Sequence, residues 1–113
     1  MAGQNFGVSD QTVGGTQTAT NVTAPALINP RRCILWTINV VNPGNAESLV
    51  INDVATLDGA NESNQMLVFS FASLVAAGPL VKLAWPMQNG IVVSAVPTGA
   101  VLNFAYNFGP YGA

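Results

Sequence analysis

The chain has 113 residues, enough for one domain with one hydrophobic core. Only 7% of the residues are charged, against about 25% in soluble proteins, and 50% are hydrophobic. Lys and Arg together number only three, too few for general nucleic-acid binding. The chain has no histidine, which is the commonest general acid and base and the commonest metal ligand. We therefore expect no enzyme activity, no cofactor and no bound metal ion.

The low charge also bears on how the surface is used. With so few ionised groups, the surface consists mostly of amides, hydroxyls, glycine and apolar atoms. Copies of such a protein repel one another weakly and tend to associate. We therefore expect a homo-oligomer whose surface is largely covered by partners.

Residues 1–30 are predicted to form an extended arm and linker, because their first part is rich in Gly, Gln, Thr and Asn. Thr16, Thr18 and Thr20 recur with the two-residue period of a strand. We expect this arm to become ordered by pairing with a neighbouring subunit, which uses main-chain hydrogen bonds and few charges. Two prolines in residues 24–30 indicate the linker.

Residues 31–113 alternate between short apolar runs and Gly, Pro or Asn turns, and no long helical period competes with this pattern. The pattern predicts a single antiparallel β-sandwich or jelly-roll-like domain. The six predicted strands span residues 33–42, 48–54, 66–71, 80–85, 91–96 and 101–108.

Alternation within these runs predicts which side chains face the core. In the first strand, the predicted inward residues are Ile34, Trp36, Ile38 and Val40. Leu49 and Ile51 share a face in the second strand, and Leu102, Phe104, Tyr106 and Phe108 share a face in the last. Asn89-Gly90 is a strong short-hairpin signal.

Residues 66–85 have the length of a membrane span, about 20 residues. Gly78-Pro79 and Lys82 interrupt the stretch, and its aromatic and β-branched residues are typical of strands. We predict two strands here and no association with a membrane.

Candidate contact residues lie where the arm meets the domain and at the end of the chain. Arg31 and Arg32 are the only adjacent charges; they form either a solvated hinge or a docking pair for a neighbour's carboxylate. Tyr111, between glycines and a proline, is predicted to face a neighbour. With Thr16, Thr18 and Thr20, these residues are the predicted partner contacts.

Three further features have a structural and a functional interpretation. Asp53, Asp58 and Glu62 resemble a calcium-ligand set, but their spacing fits no EF-hand loop, and ordinary loop carboxylates are favoured. Cys33 is interpreted as a small buried hydrophobic residue. The aromatic residues suggest either core packing, which is favoured, or a glycan-binding surface.

The last third of the chain contains the run VKLAWPMQNGIVV (residues 81–93), then PTG (residues 97–99) and VLNFAY (residues 101–106). This order of an aromatic-proline dipeptide, a polar residue, Asn-Gly-Ile-Val-Val, a turn and a final strand resembles a pattern in small virion proteins of tailed bacteriophages. The resemblance covers about residues 31–107, is looser before residue 79, and does not include the arm.

The resemblance implies a β-sandwich component of the virion, assembled in the host cytoplasm. Within this class, a head decoration (cement) protein bound to the major capsid protein, often as a trimer, is the leading hypothesis. A tail, baseplate or fibre component is the first alternative. A glycan-binding β-sandwich module is the second.

Overall fold

The computed structural model describes residues 16–71 and 78–108, which form an all-β sandwich. Within these ranges there are eight strands: β1 (Thr16–Val22), β2 (Ala26–Asn29), β3 (Cys33–Asn42), β4 (Ser48–Asn52), β5 (Gln65–Ser70), β6 (Gly78–Met87), β7 (Ile91–Ala95) and β8 (Val101–Asn107). A short 3-10 helix, Glu62–Asn64, precedes β5. The predicted fold class is confirmed, and so are the six strands predicted after residue 32.

The described strands form two four-stranded antiparallel sheets: sheet 1 in the order β1-β8-β3-β6 and sheet 2 in the order β2-β7-β4-β5. The pairs β1–β8, β2–β7, β3–β6 and β4–β5 are antiparallel neighbours. A long hairpin wrapped around a sandwich gives this nested pairing, which is the topology of a jelly roll. Every connection except β4 to β5 consequently passes from one sheet to the other.

The second half of the predicted arm and linker belongs to the sheets. Residues 26–29, predicted as linker, form β2 and pair with β7, with Pro25 and Pro30 bracketing the strand. This corrects the linker prediction, since proline limits a strand at its ends without excluding a short edge strand. Strand β1 pairs with β8 of its own chain, where the sequence suggested pairing with a neighbouring subunit.

The core lies between the two sheets and contains side chains from both. Leu49 and Ile51 of β4 are fully buried, as are Leu102 and Phe104 of β8, which confirms the inward faces predicted for these strands. Phe71, Ile91 and Val93 from the sheet 2 side join them in one apolar cluster. Burial of such side chains stabilises the fold by roughly 1.5–3 kcal/mol each.

The inward face predicted for β3 is wrong in its first half, because a β-bulge interrupts the alternation. Leu35 lies opposite Tyr106 and Thr37 lies opposite Ala105, so Trp36 is an extra residue between consecutive pairs. Cys33 and Leu35 are therefore buried before the bulge, and Ile38 and Val40 after it, whereas Trp36 is 40% exposed.

The turn at Asn89-Gly90 does not close a hairpin. It connects β6 of sheet 1 to β7 of sheet 2. Gly90 has φ +156°, and a Cβ there would lie 2.4 Å from the carbonyl oxygen of Asn29. The sequence signal thus marked a tight turn correctly, but the close approach of β2 requires the glycine.

Residues 66–85, which have the length of a membrane span, contribute to strands β5 and β6 in their described parts. Among residues 16–71 and 78–108, no helix has the length and apolar character needed to cross a membrane.

Candidate interaction surface

Arg31 precedes β3 and packs on an aromatic ring of its own chain. Its guanidinium carbon lies 4.6 Å from the ring centroid of Phe108, a cation–π geometry. Phe108 in turn meets Tyr106 edge to face, with centroids 6.3 Å apart and planes at 86°. The Asn29 side chain donates a 2.7 Å hydrogen bond to the Arg31 carbonyl oxygen. Arg31 is therefore exposed, while its side chain is held in one orientation by Phe108, which suits a residue that contacts another protein.

The predicted threonine row lies on β1, at an edge of sheet 1. Thr18 and Thr20 are exposed, and the backbone of Thr16 lies opposite Asn107. The row ends in a bulge at Asn21, which has φ 61° and donates its N–H to Asn103 Oδ1 over 2.8 Å. This bulge turns Val22 into the core, where it is 9% exposed.

The topology brings part of the predicted contact set to one end of sheet 1. Thr16 begins β1, opposite Asn107 at the end of β8, and Asn107 also lies opposite Ile34 near the start of β3. Arg31 and the exposed Arg32 directly precede β3. Thr18 and Thr20 lie further along β1, towards the other end. Tyr111 lies outside the described residues.

Asp53 binds the connection between β6 and β7. Its carboxylate accepts hydrogen bonds from the main-chain N–H groups of Gln88 at 3.0 Å, Asn89 at 2.7 Å and Gly90 at 3.3 Å. A single side chain thus satisfies three turn donors that have no partner in a strand. Asp53 therefore stabilises the turn between β6 of sheet 1 and β7 of sheet 2.

The neighbouring loop is held together by amide side chains. Asn52 is 1% exposed, donates to Asn61 O at 3.0 Å and Asn64 Oδ1 at 2.7 Å, and accepts from Ser94 Oγ at 2.6 Å. Asn61 and Asn64 also form a reciprocal capping box around the 3-10 helix. These amides are occupied by internal hydrogen bonds, and no group of three or more His, Cys, Asp or Glu in the described residues is placed to share a metal ion.

Cys33 is buried, with 2% exposure. Burial raises the pKa of its thiol, and this effect outweighs the opposing hydrogen bond from Asn29. Burial likewise raises the pKa of Tyr106. Because the thiolate is the reactive form of cysteine, the structure favours an unreactive packed side chain at this position.

The β3–β4 and β7–β8 connections are fastened to each other. Glu47 Oε1 accepts the main-chain N–H of Thr98 at 2.6 Å, and Asn45 donates its N–H to Thr98 O at 2.9 Å. The hydrogen bond from Thr98 lowers the pKa of the Glu47 carboxyl. Gly44, with φ +65°, allows the approach, since a Cβ there would lie 2.4 Å from the Ala100 nitrogen.

Alternation along the sequence did not predict which large apolar side chains are exposed. Trp36 and Trp85 are 40% and 36% exposed. They lie on the neighbouring strands β3 and β6, where Trp85 is opposite Leu35, the residue before Trp36. Val68, at 58%, is the most exposed large hydrophobic residue among the described positions. Bulges place the tryptophans, and no local sequence signal identifies a bulge.

Charges avoid the strand faces. In the described part of the chain, Lys82 of β6 is the one charged residue within a strand, and the remaining acidic and basic residues lie in connections or in the 3-10 helix. The faces and edges of the sandwich therefore offer main-chain, amide, hydroxyl and apolar groups. Comparison of the chain with protein-family models, with curated proteins and with solved structures found no match.

Proposed function

We propose that this protein is a structural subunit of a bacteriophage virion, a decoration (cement) protein that binds the head shell and stabilises it. The observation that carries the proposal is the jelly-roll strand order, β1-β8-β3-β6 over β2-β7-β4-β5. Viral capsid proteins are one of the main groups that use this topology. A fold is shared by proteins of different functions, and the surface supplies a second line of support.

The surface suits permanent contact with other proteins. Interface cores are depleted in charged residues and enriched in aromatic residues and methionine. The strand faces here are almost free of charge and expose Trp36, Trp85 and Met66. A shell component also has to remain bound without a catalytic or ligand-driven step. Uncharged contacts between complementary surfaces can hold it in place.

Within this proposal, the contact with the major capsid protein involves the end of sheet 1 where Thr16 and Arg31 lie. Arg31 stands over Phe108 and is exposed, so a carboxylate of a neighbour could reach its guanidinium. An arginine held in this way loses less conformational entropy on pairing with a carboxylate. Thr18 and Thr20 follow Thr16 along the edge strand β1 and add exposed side chains with hydroxyl groups.

Cryo-electron microscopy of virions whose genome encodes this chain tests the proposal. We expect jelly-roll density on the outside of the head, and heads that lack the protein should release their DNA at a lower temperature. Adding the purified protein back should restore the release temperature. Density confined to the tail, baseplate or a fibre would support that alternative, and absence from the particle would refute a virion role.

A deletion and a point substitution, the latter with a matched control, then locate the contact. Deleting residues 1–15 removes none of the eight described strands, so loss of binding to heads would assign the contact to that segment. Arg31→Ala removes the guanidinium, while Lys82→Ala is its control for loss of one positive charge. We expect weaker co-sedimentation with heads for Arg31→Ala alone.

A glycan-binding module is the second candidate, because lectins also use the jelly roll and two tryptophans are exposed on adjacent strands. Sugars stack on exposed aromatic faces. Saturable binding on a glycan array that is lost in Trp36→Ala or Trp85→Ala, with Leu27→Ala unchanged, would favour this function over a purely structural one.

A further inference from the structure

We propose that two copies of this chain associate through antiparallel pairing of their β5 strands, which joins their two copies of sheet 2 into one continuous sheet. The inference rests on the proposed function, because it assumes that the chain is a subunit of an assembly and contacts its own copies. It departs from the trimer that the resemblance implies, and it can fail independently of the virion role, because self-association is measured without capsids.

Four described strands lie at sheet edges: β1, β6, β2 and β5. Edge strands in natural proteins are usually protected against pairing by bulges, prolines, charges or short length. β1 has the bulge at Asn21. β2 has four residues and is bracketed by Pro25 and Pro30. β6 contains Lys82 and Pro86 and has two register shifts against β3.

β5 has none of these protections over its central residues. Its sequence, QMLVFS, contains no proline, glycine or charge. Its pairing with β4 is regular from Ser48 opposite Ser70 to Ile51 opposite Leu67, and the one register shift lies beyond, at Asn52. The outer edge of β5 therefore presents a straight row of main-chain donors and acceptors, the form that accepts another strand.

The core is also incomplete along this edge. Leu67 and Phe69 pack against the core cluster but remain only partly buried. Their cross-strand partners in β4, Ile51 and Leu49, are 0% exposed. A strand placed beside β5 with apolar residues at matching positions would complete the burial of both side chains.

A second copy of β5 supplies those positions. Two copies of one strand keep their apolar side chains on the same side of the sheet only if odd-numbered residues lie opposite odd-numbered residues, and even-numbered residues opposite even-numbered ones. With antiparallel copies, this places one residue opposite itself. Val68 or Leu67 in that place pairs five residues, but Leu67 there would set the polar Gln65 opposite Phe69 on the core side, so Val68 is the better fit. Leu67 then lies opposite Phe69 of the other copy on the core side, and Met66 lies opposite Ser70 on the outer side.

The charge distribution permits this contact. Neither β4 nor β5 contains an ionisable residue, so two copies meet without like charges opposite one another. On the outer face, Val68 is 58% exposed and would gain a β-branched neighbour across the two-fold axis. Such a contact uses the same patch on both copies and closes as a dimer.

Sedimentation equilibrium of the purified full-length protein over a range of concentrations tests the proposal. We expect the wild type to reach twice the 11.7 kDa of one chain. Val68→Lys and Val68→Glu should each raise the dimer dissociation constant at least about tenfold, because like charges then face each other. An equimolar mixture of the two variants should recover the dimer, since opposite charges then meet.

Thr18→Lys is the control, because it adds the same charge to an exposed position on a different edge strand. It should leave the dimer unchanged. Recovery in the mixture excludes misfolding as the cause of dissociation. A wild type that stays monomeric at its highest soluble concentration, a trimer, or a dimer unaffected by either Val68 variant would overturn the proposal. Binding of the monomeric Val68→Lys variant to heads is scored separately and reports on the virion role alone.

Discussion

At the scale of single residues, this protein uses neutral amides where many proteins use ion pairs. Asn52, the last residue of β4, makes three hydrogen bonds at 1% exposure and ties Asn61 and Asn64 of the following segment to β4 and to Ser94 of β7. A buried amide needs its partners, but its burial costs far less than that of a charge. A chain with 7% charged residues can therefore still fix its loops.

Asp53 is one of two exceptions, since its carboxylate accepts hydrogen bonds from three main-chain N–H groups, at Gln88, Asn89 and Gly90. We expect Asp53→Ala to lower the free energy of unfolding by about 2 kcal/mol, as hydrogen bonds to a charged acceptor are lost. Denaturant unfolding followed by tryptophan fluorescence measures the change. Asp58→Ala, an exposed loop carboxylate, should have an effect near zero. Equal effects of the two substitutions would contradict the role of Asp53 in fixing the β6–β7 turn.

Glu47 gives the stability a pH dependence. Its pKa is lowered in the folded state by the hydrogen bond from Thr98, so its contribution is present above the pKa of the unfolded chain and is lost as pH falls through the folded value. We expect the melting-temperature difference between wild type and Glu47→Gln to shrink from about pH 6 to pH 3. A difference that is constant over this range would contradict the assignment.

At the scale of elements, bulges decide which residues reach the core. One extra residue at Trp36 moves Leu35 inward and Trp36 outward, against the alternation of the sequence. The bulge at Asn21 similarly buries Val22 after two exposed threonines. Each bulge reverses the face of every residue after it, so a small local change re-assigns half a strand.

A pair of alanine substitutions tests the bulge in β3. Leu35→Ala should lower the free energy of unfolding by about 3 kcal/mol, because it opens a cavity in the core. Trp36→Ala should lower it by less than about 1 kcal/mol, since the indole is 40% exposed. Denaturant titration with circular dichroism detection gives both values. The reverse order would restore the face predicted from alternation.

At the scale of the whole molecule, the jelly roll joins the two ends of the described chain. β8, the last described strand, lies between β1 and β3 in sheet 1, so that sheet cannot form until the chain extends to residue 107. Pairings of such long sequence separation also make folding slow, on the order of milliseconds to seconds for β-sandwiches.

Truncation before residue 101 removes β8 and should abolish folding, because β1 then loses its neighbour and β3 loses one of two. Proton NMR dispersion and circular dichroism would report an unfolded or aggregated chain. Deletion of residues 1–15 serves as the comparison, since it removes no described strand. A truncated protein with a cooperative unfolding transition would show that sheet 1 does not depend on β8.

Hydrophobic period and turn chemistry are local properties, so the amino-acid sequence was enough to predict the all-β class, the six strands after residue 32 and the inward faces of β4 and β8. Only the folded structure shows that β1 and β2 pair within the sheets of their own chain and that Trp36 and Trp85 are exposed. The folded structure also shows that Asn89-Gly90 connects two sheets and that β5 is an edge strand without proline or charge. Strand neighbours and bulges arise from contacts between residues far apart in the chain, and alternation along one strand contains no information about them.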